Sequence, residues 1–185
     1  MTSSPTADVS VRIAWAGDAD AIAAVQVRCW RQRYAGLLAE EELAAMDADA
    51  FAQRWAQQLE RPGDARNRVL VALERNTVRG YAVLVPSPDP DADPVAEAEL
   101  VELVLDPDHT GAGHGSRLLQ AAADTLRADR FSTALTWTRT TEDALRAFLT
   151  GAGWATDGAH RELDLHGDGS VTLKQLRLHT DLTQD

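Results

Sequence analysis

Ala98–Leu126 reads AELVELVLDPDHTGAGHGSRLLQAAADTL. An apolar run is closed by Asp106-Pro107, glycines recur at alternate positions from Gly111 to Gly115, and an amphipathic stretch follows. That order predicts a strand over Glu97–Leu105, a tight loop, and a helix over Gly113–Ala128 whose apolar face is Leu118, Leu119, Ala122, Ala123 and Leu126. The first backbone N–H groups of such a helix have no partner within it and sit at the positive end of its dipole. Glycine lets an anion approach that backbone without meeting a Cβ. The segment is therefore read as a cradle for a pyrophosphate.

The glycine spacing narrows which pyrophosphate it takes. A nucleotide P-loop ends in Gly-Lys-Ser or Gly-Lys-Thr, and Thr110–Ser116 holds no lysine. A dinucleotide fingerprint is G-x-G-x-x-G in the first strand–helix unit, whereas here the pattern is G-x-G-x-G and falls late in the chain. A plain strand-to-helix turn needs one glycine, not several at alternate positions. No Gly-x-Ser-x-Gly elbow is present, so nothing supports a serine hydrolase.

The chain has 185 residues, 44% apolar and 25% charged, which suits one globular domain with a sizeable core. Its net charge of −11 would repel nucleic acid. It has no apolar run of about eighteen residues, so no membrane span is expected. The opening MTSSPTADVS is not patterned as a leader, so residues 1–9 are expected to be a loose tail and the protein to be cytoplasmic. A lone Cys29 cannot form an internal disulfide, and it is read as a half-buried thiol on a helix. His160, His166 and His179 lack metal-ligand spacing, and no metal is expected. His109 and His114 flank the glycine loop, where they are read as solvated or in contact with phosphate.

Outward from the loop, alternation and turn residues predict the rest. Val9–Trp15 reads as a strand closed by Gly17, with Asp18 as cap of the helix carrying Ile22, Val25, Cys29, Trp30 and Tyr34. Gly36 ends that helix, and a second runs over about Glu40–Glu60 with Phe51, Trp55 and Leu59 as its buried stripe. Val69–Leu73 and Gly80–Val85 read as a hairpin turning at Asn76, and the proline- and aspartate-rich Pro86–Pro94 as an exposed loop. After the central strand and helix come a strand at Ala134–Thr138, a helix at Glu142–Leu149, and strands at Ala159–Leu165 and Val171–His179 joined by His166–Ser170. The five tryptophans are read mostly as core aromatics. The order β-α-α-β-β-β-α-β-α-β-β predicts one mixed α/β domain over residues 10–180, with about four helices flanking a mostly antiparallel sheet.

Order and loop together resemble the GNAT superfamily of acetyl-CoA-dependent N-acyltransferases, over about Val11–Leu178. The segment D-P-D-H-T-G-A-G-H-G is similar to the family's Arg/Gln-x-x-Gly-x-Gly/Ala loop, its glycines matching Gly113 and Gly115. Trp137–Trp154 is similar to the later strand and helix ending in Phe-Tyr-x-x-x-Gly-Phe, with Phe148, Gly153 and Trp154 in the matching places. Trp30–Leu38 and Asp157–Arg161 also look like one bacterial branch of the family.

The resemblance implies acetyl transfer from acetyl-CoA, as co-substrate, to a primary amine of a small molecule or peptide by direct attack. It implies that Leu103, Val104 and Leu105 pair with the pantetheine arm, and that Thr110, Gly111, Ala112, Gly113, His114, Gly115 and Ser116 hold the pyrophosphate. Glu142 and Phe148 complete the implied cofactor contacts, and Trp30 and Tyr34 wall the acceptor. An amine near pKa 10 must lose a proton before it attacks. Glu99 matches the family's glutamate for that task, with Glu102 on the opposite parity of the strand as second candidate. The amide N–H of Val104 or Leu105 is suited to the oxyanion. Three positions depart from the pattern: Thr110 replaces Arg or Gln, Glu142 replaces an asparagine, and Leu149 replaces the tyrosine that protonates the leaving thiolate. They motivate an alternative, a catalytically impaired CoA or acyl-CoA sensor on the same fold. Late strands of the family pair across dimers, which leaves a homodimer open.

Overall fold

A computed structural model describes residues 9–183. Most of the expected tail lies outside the described residues, but Val9 opens the first strand and faces Glu74. Seven strands and five α-helices alternate: β1 Val9–Ile13, α1 Ala19–Arg33, α2 Glu40–Ala44, α3 Ala48–Glu60, β2 Arg68–Glu74, β3 Thr77–Pro86, β4 Glu97–Leu105, α4 His114–Ala128, β5 Thr133–Arg139, α5 Asp143–Gly151, β6 Ala155–Asp164 and β7 Thr172–Asp181. The strands order β1-β2-β3-β4-β5-β7-β6. β4 and β5 are parallel because α4 connects them as a crossover, while β5–β7 and β7–β6 are antiparallel. The mixed, mostly antiparallel sheet expected from the element order is therefore present.

The chain divides into two compact units. The first holds everything up to Val83 together with Glu102–Ala122. Its core gathers Ile22, Ala23 and Val25 of α1, Trp55 of α3, and Val71, Tyr81 and Val104 of the strands. Fully burying one such aliphatic side chain contributes about 1.5–3 kcal/mol. Trp55 Nε1 donates to the buried Gln26 Oε1 at 2.8 Å, which satisfies both polar groups between α3 and α1. The β2–β3 hairpin turns on Arg75 and Asn76 at φ 48° and 67°, the two left-handed residues of a two-residue loop.

Several expectations are corrected here. The stretch Glu40–Glu60 is two helices, because Asp47 accepts from Asp49 N–H and caps α3 afresh. Asp18 stands before α1 without capping it. Its carboxylate instead takes Arg12 Nη1 and Nη2 at 2.7 and 2.9 Å and the Trp15 N–H at 2.9 Å. Trp15 is no core residue: it is 59% exposed, with the Arg12 guanidinium 3.5 Å from its ring centre. Trp55 and Trp154 are buried as expected, and Cys29 is half-buried.

The second unit holds Leu84–Val101 and the chain from Ala123. Its sheet core is built on Ala98, Leu100, Ala134, Leu135 and Leu178, all buried. The loop after β3 is not wholly exposed: Ser87 is buried, and Asp89 is drawn inward by Arg177 at 2.8 Å. β6 begins at Ala155, earlier than the alternation suggested, and its pairing with β7 shifts between Thr156 and His160. Gly158, at φ 86°, sits in that irregularity.

Candidate active site

In the first unit, β4 ends at Leu105, and the N–H of Asp106 just beyond it donates to Arg79 O at 2.7 Å. Arg28 of α1 meets the Asp106 carboxylate at 2.7 Å. Burial pushes that carboxyl up, but Arg28 and the Asp108 N–H outweigh it and hold it below the usual aspartate range. The strand end is thus pinned before the loop begins. Gly111 and Gly113 then take φ 80° and 81°, the left-handed turn that aims the chain into α4. The first helical bond after the loop runs from Arg117 N–H to Gly113 O at 3.2 Å. The N–H groups of His114, Gly115 and Ser116 precede it and have no acceptor within the helix. A Cβ on Gly111 would meet nothing within 4 Å, so the face beside it is open. These donors and this opening fit a diphosphate.

Sequence reading placed His114 in the loop as a solvated or phosphate-touching ring, and the structure buries it instead. It is 2% exposed, and neither ring nitrogen has a partner. Burial lowers its pKa, opposed by Glu74 and reinforced by Arg117, Arg79 and His109, so the imidazole is neutral. His114 therefore has only its backbone N–H to offer an anion. Thr110 and Ser116 are exposed, and His109 lies 3.4 Å from Arg79 Nη1.

Glu102 belongs to the same unit. Tyr81, fully buried on β3, donates its hydroxyl to Glu102 Oε2 at 2.7 Å. Burial raises the Glu102 carboxyl, partly offset by Tyr81 and by Arg33. Trp30 stacks edge-on against Tyr34 and Phe51 at 5.7 and 5.5 Å, and its indole N–H also favours the ionised Glu102. A carboxyl raised in the folded state contributes stability that is complete below its unfolded pKa and is lost as pH rises through the folded value. Glu102→Gln is accordingly expected to raise Tm at pH 7 and to leave it unchanged near the unfolded glutamate pKa of about 4.3. Calorimetric scans of both proteins across that range check it, and a lower Tm at pH 7 would contradict it.

Glu99 lies in the second unit, three residues away on the other face, as the strand period requires. It is 5% exposed, and among the described residues its carboxyl makes no hydrogen bond. Burial raises it; Arg161 and Arg177 pull it down and Asp89 pushes it up, leaving it above the ordinary glutamate range. The parallel ladder of β4 with β5 covers only Glu97–Glu99 against Thr133–Leu135. Thr136 Oγ1 then bonds Leu100 O at 2.8 Å, and Val101 is 44% exposed although its strand is central in the sheet. The ladder thus ends at the carboxylate picked out by sequence.

The remaining expected positions are mixed. Glu142 stands before α5, where its carboxylate takes Arg139 N–H at 3.0 Å and Arg139 Nη2 at 3.2 Å. Phe148 is half-buried on α5, and Leu149 beside it is 1% exposed, a core residue. Sequence reading missed Tyr81, Asp89 and Arg177 as partners of the two glutamates. Their pairings join distant segments, and no local pattern announces them.

In the first unit β4 runs into a glycine turn and an open helix N-terminus, an arrangement that fits a phosphorylated cofactor. A model of the acetyltransferase (GNAT) family matches residues 24–154, and the chain belongs to that family. No curated protein matches it significantly by sequence. Its fold is similar to the PaiA N-acetyltransferase of Thermoplasma acidophilum solved with coenzyme A, at 17% identity and TM-score 0.68, covering 94% of this chain and 99% of that one. It is also similar to YncA of Salmonella typhimurium solved with acetyl-CoA, at 19% identity and TM-score 0.65 over 96% and 95%. A ribosomal-protein-alanine N-acetyltransferase of Brucella melitensis gives 20% identity and TM-score 0.70 over 93% and 99%. Among the described residues no helix is long and apolar enough to cross a membrane.

Proposed function

We propose that residues 10–180 act as one domain that transfers acetyl from acetyl-CoA to a primary amine by direct attack. The observation that carries this reading is the glycine turn at the start of α4, whose first three N–H groups have no acceptor within the helix. There the backbone of Gly111–Ser116 holds the diphosphate, through amides rather than the side chain of His114. Leu103–Leu105 offer backbone to the pantetheine arm, supported by a β4–β5 ladder that stops at Glu99. When bound, acetyl-CoA supplies an activated acyl carbon.

Glu99 takes the proton from the acceptor ammonium, directly or through a water. Its elevated carboxyl is better matched to that task than an ordinary glutamate. Glu102 is the weaker candidate because Tyr81 already occupies one oxygen. The Val104 or Leu105 N–H faces the developing oxyanion. Leu149 cannot donate a proton, and a CoA thiol, with a pKa near that of cysteine at about 8.5, departs as thiolate. Trp30 and Tyr34 wall the acceptor.

Titration calorimetry with acetyl-CoA, followed by thiol release over an amine panel, tests the reading. Saturable binding with CoA release is expected. No binding at millimolar ligand would sink it, and binding without thiol release would assign the chain as a CoA-binding module.

A further inference from the structure

In the second unit a recess of 310 Å³ opens between the Pro86–Pro94 loop and the β5–β7–β6 sheet, lined by Pro88, Asp89, Trp137, His160, Arg161 and Arg177 among others. Its two arginines are in different states. Arg177 is neutralised, with Nη1 2.8 Å from Asp89 and Nε 2.7 Å from Asp157. Arg161 has no carboxylate within ion-pair distance among the described residues. Its Nε–H goes to Gln175 Oε1 at 2.8 Å, and its guanidinium lies 4.2 Å from the Trp137 ring centre. The indole and the amide fix the plane of the cation, while its two terminal nitrogens stay uncommitted. A planar fork held in that way binds a carboxylate through two parallel N–H bonds.

The same recess carries Asp89 and Asp91, and Arg161 and Arg177 are the cations whose charge reaches Glu99. A simple amine would suit Asp91, since Asp89 is already paired with Arg177, but would be repelled by Arg161. An acceptor carrying both an ammonium and a carboxylate satisfies both signs. The N-terminal amine of a peptide has a neutral amide where a free amino acid has its α-carboxylate. We propose that the acceptor is a small molecule bearing a carboxylate along with its amine, and that Arg161 binds the carboxylate in this recess. The proposal rests on the acetyl-transfer reading and names the substrate class for it.

The test uses matched acceptors: free amino acids, their carboxamides, and the decarboxylated amines. Each is assayed with acetyl-CoA for thiol release and titrated calorimetrically into the CoA-loaded protein. The acids are expected to lead in kcat/KM by roughly 10- to 100-fold. Arg161→Gln should erase that lead, mainly through KM, with CoA affinity retained, and Arg161→Lys should keep part of it. Amides acetylated as well as acids, or a preference that survives Arg161→Gln, would overturn the proposal and leave the transferase reading intact. Acids that bind through Arg161 without thiol release would support the subsite and overturn acetyl transfer. Acids that neither bind nor react would overturn the subsite.

Discussion

Glu99→Gln is expected to lower kcat at pH 7 by about 10²–10⁴-fold, the usual worth of a positioned general base. The acceptor amine, near pKa 10, is almost wholly ammonium at that pH. Gln keeps the shape of the side chain and loses only its power to take a proton. The deficit should therefore narrow as pH approaches the amine's own pKa, where free amine no longer needs the base. The wild type adds a second mark. Burial among Asp89, Arg161 and Arg177 holds Glu99 above the ordinary glutamate range. The base must be ionised to act, so the acid limb of kcat/KM should sit above that range too and disappear in the variant. Acetyl-CoA affinity should be retained, because the substitution leaves every loop amide in place. Glu102→Gln serves as the control, and a loss of less than about tenfold separates the two carboxylates. Rates unchanged by Glu99→Gln would remove it from the role.

The contrast between these glutamates marks how far sequence reading reaches. A strand's two-residue period puts Glu99 and Glu102 on opposite faces, and that was legible from AELVELVL alone. The chemistry of each face was not. Tyr81 is 21 residues from Glu102 and Asp89 is 88 from Arg177, and such pairs are set by sheet order rather than by spacing. The order of β4, loop and α4 was readable because they lie together in one segment, and the parallel pairing of β4 with β5 follows from that crossover. The break at Ala45–Asp47 was readable in principle from Asp47 as a cap, but a continuous run of helix-favouring residues around it hid the signal. His114 misled for a different reason. A histidine among glycines looks solvated, yet it is the first residue of α4, where the helix turns its ring into the core.

Gly113→Val should weaken acetyl-CoA binding on the order of 100-fold, about the worth of two hydrogen bonds to a charged group. Valine is strained at φ 81°, at about 1–3 kcal/mol. The chain can relieve that strain by rotating toward negative φ, which turns the following N–H groups away from the anion. The added Cβ would also lie 2.7 Å from Arg117 Nη1, but that is the end of a flexible side chain and can move aside. Backbone direction, not crowding, therefore decides the outcome. Some stability is lost as well, at roughly 2–4 °C in Tm for each kcal/mol in a chain of this size. Acetylpantetheine carries the same thioester and lacks the diphosphate, so it separates the two effects. A misfolded variant would lose both ligands, whereas a variant with a misdirected cradle should lose acetyl-CoA and keep its weaker hold on acetylpantetheine. Ser116→Ala, which removes a hydroxyl and leaves every loop amide in place, should cost less than about tenfold. If Gly113→Val binds acetyl-CoA as tightly as the wild type, the glycines serve only the turn into α4, and the diphosphate must be held elsewhere.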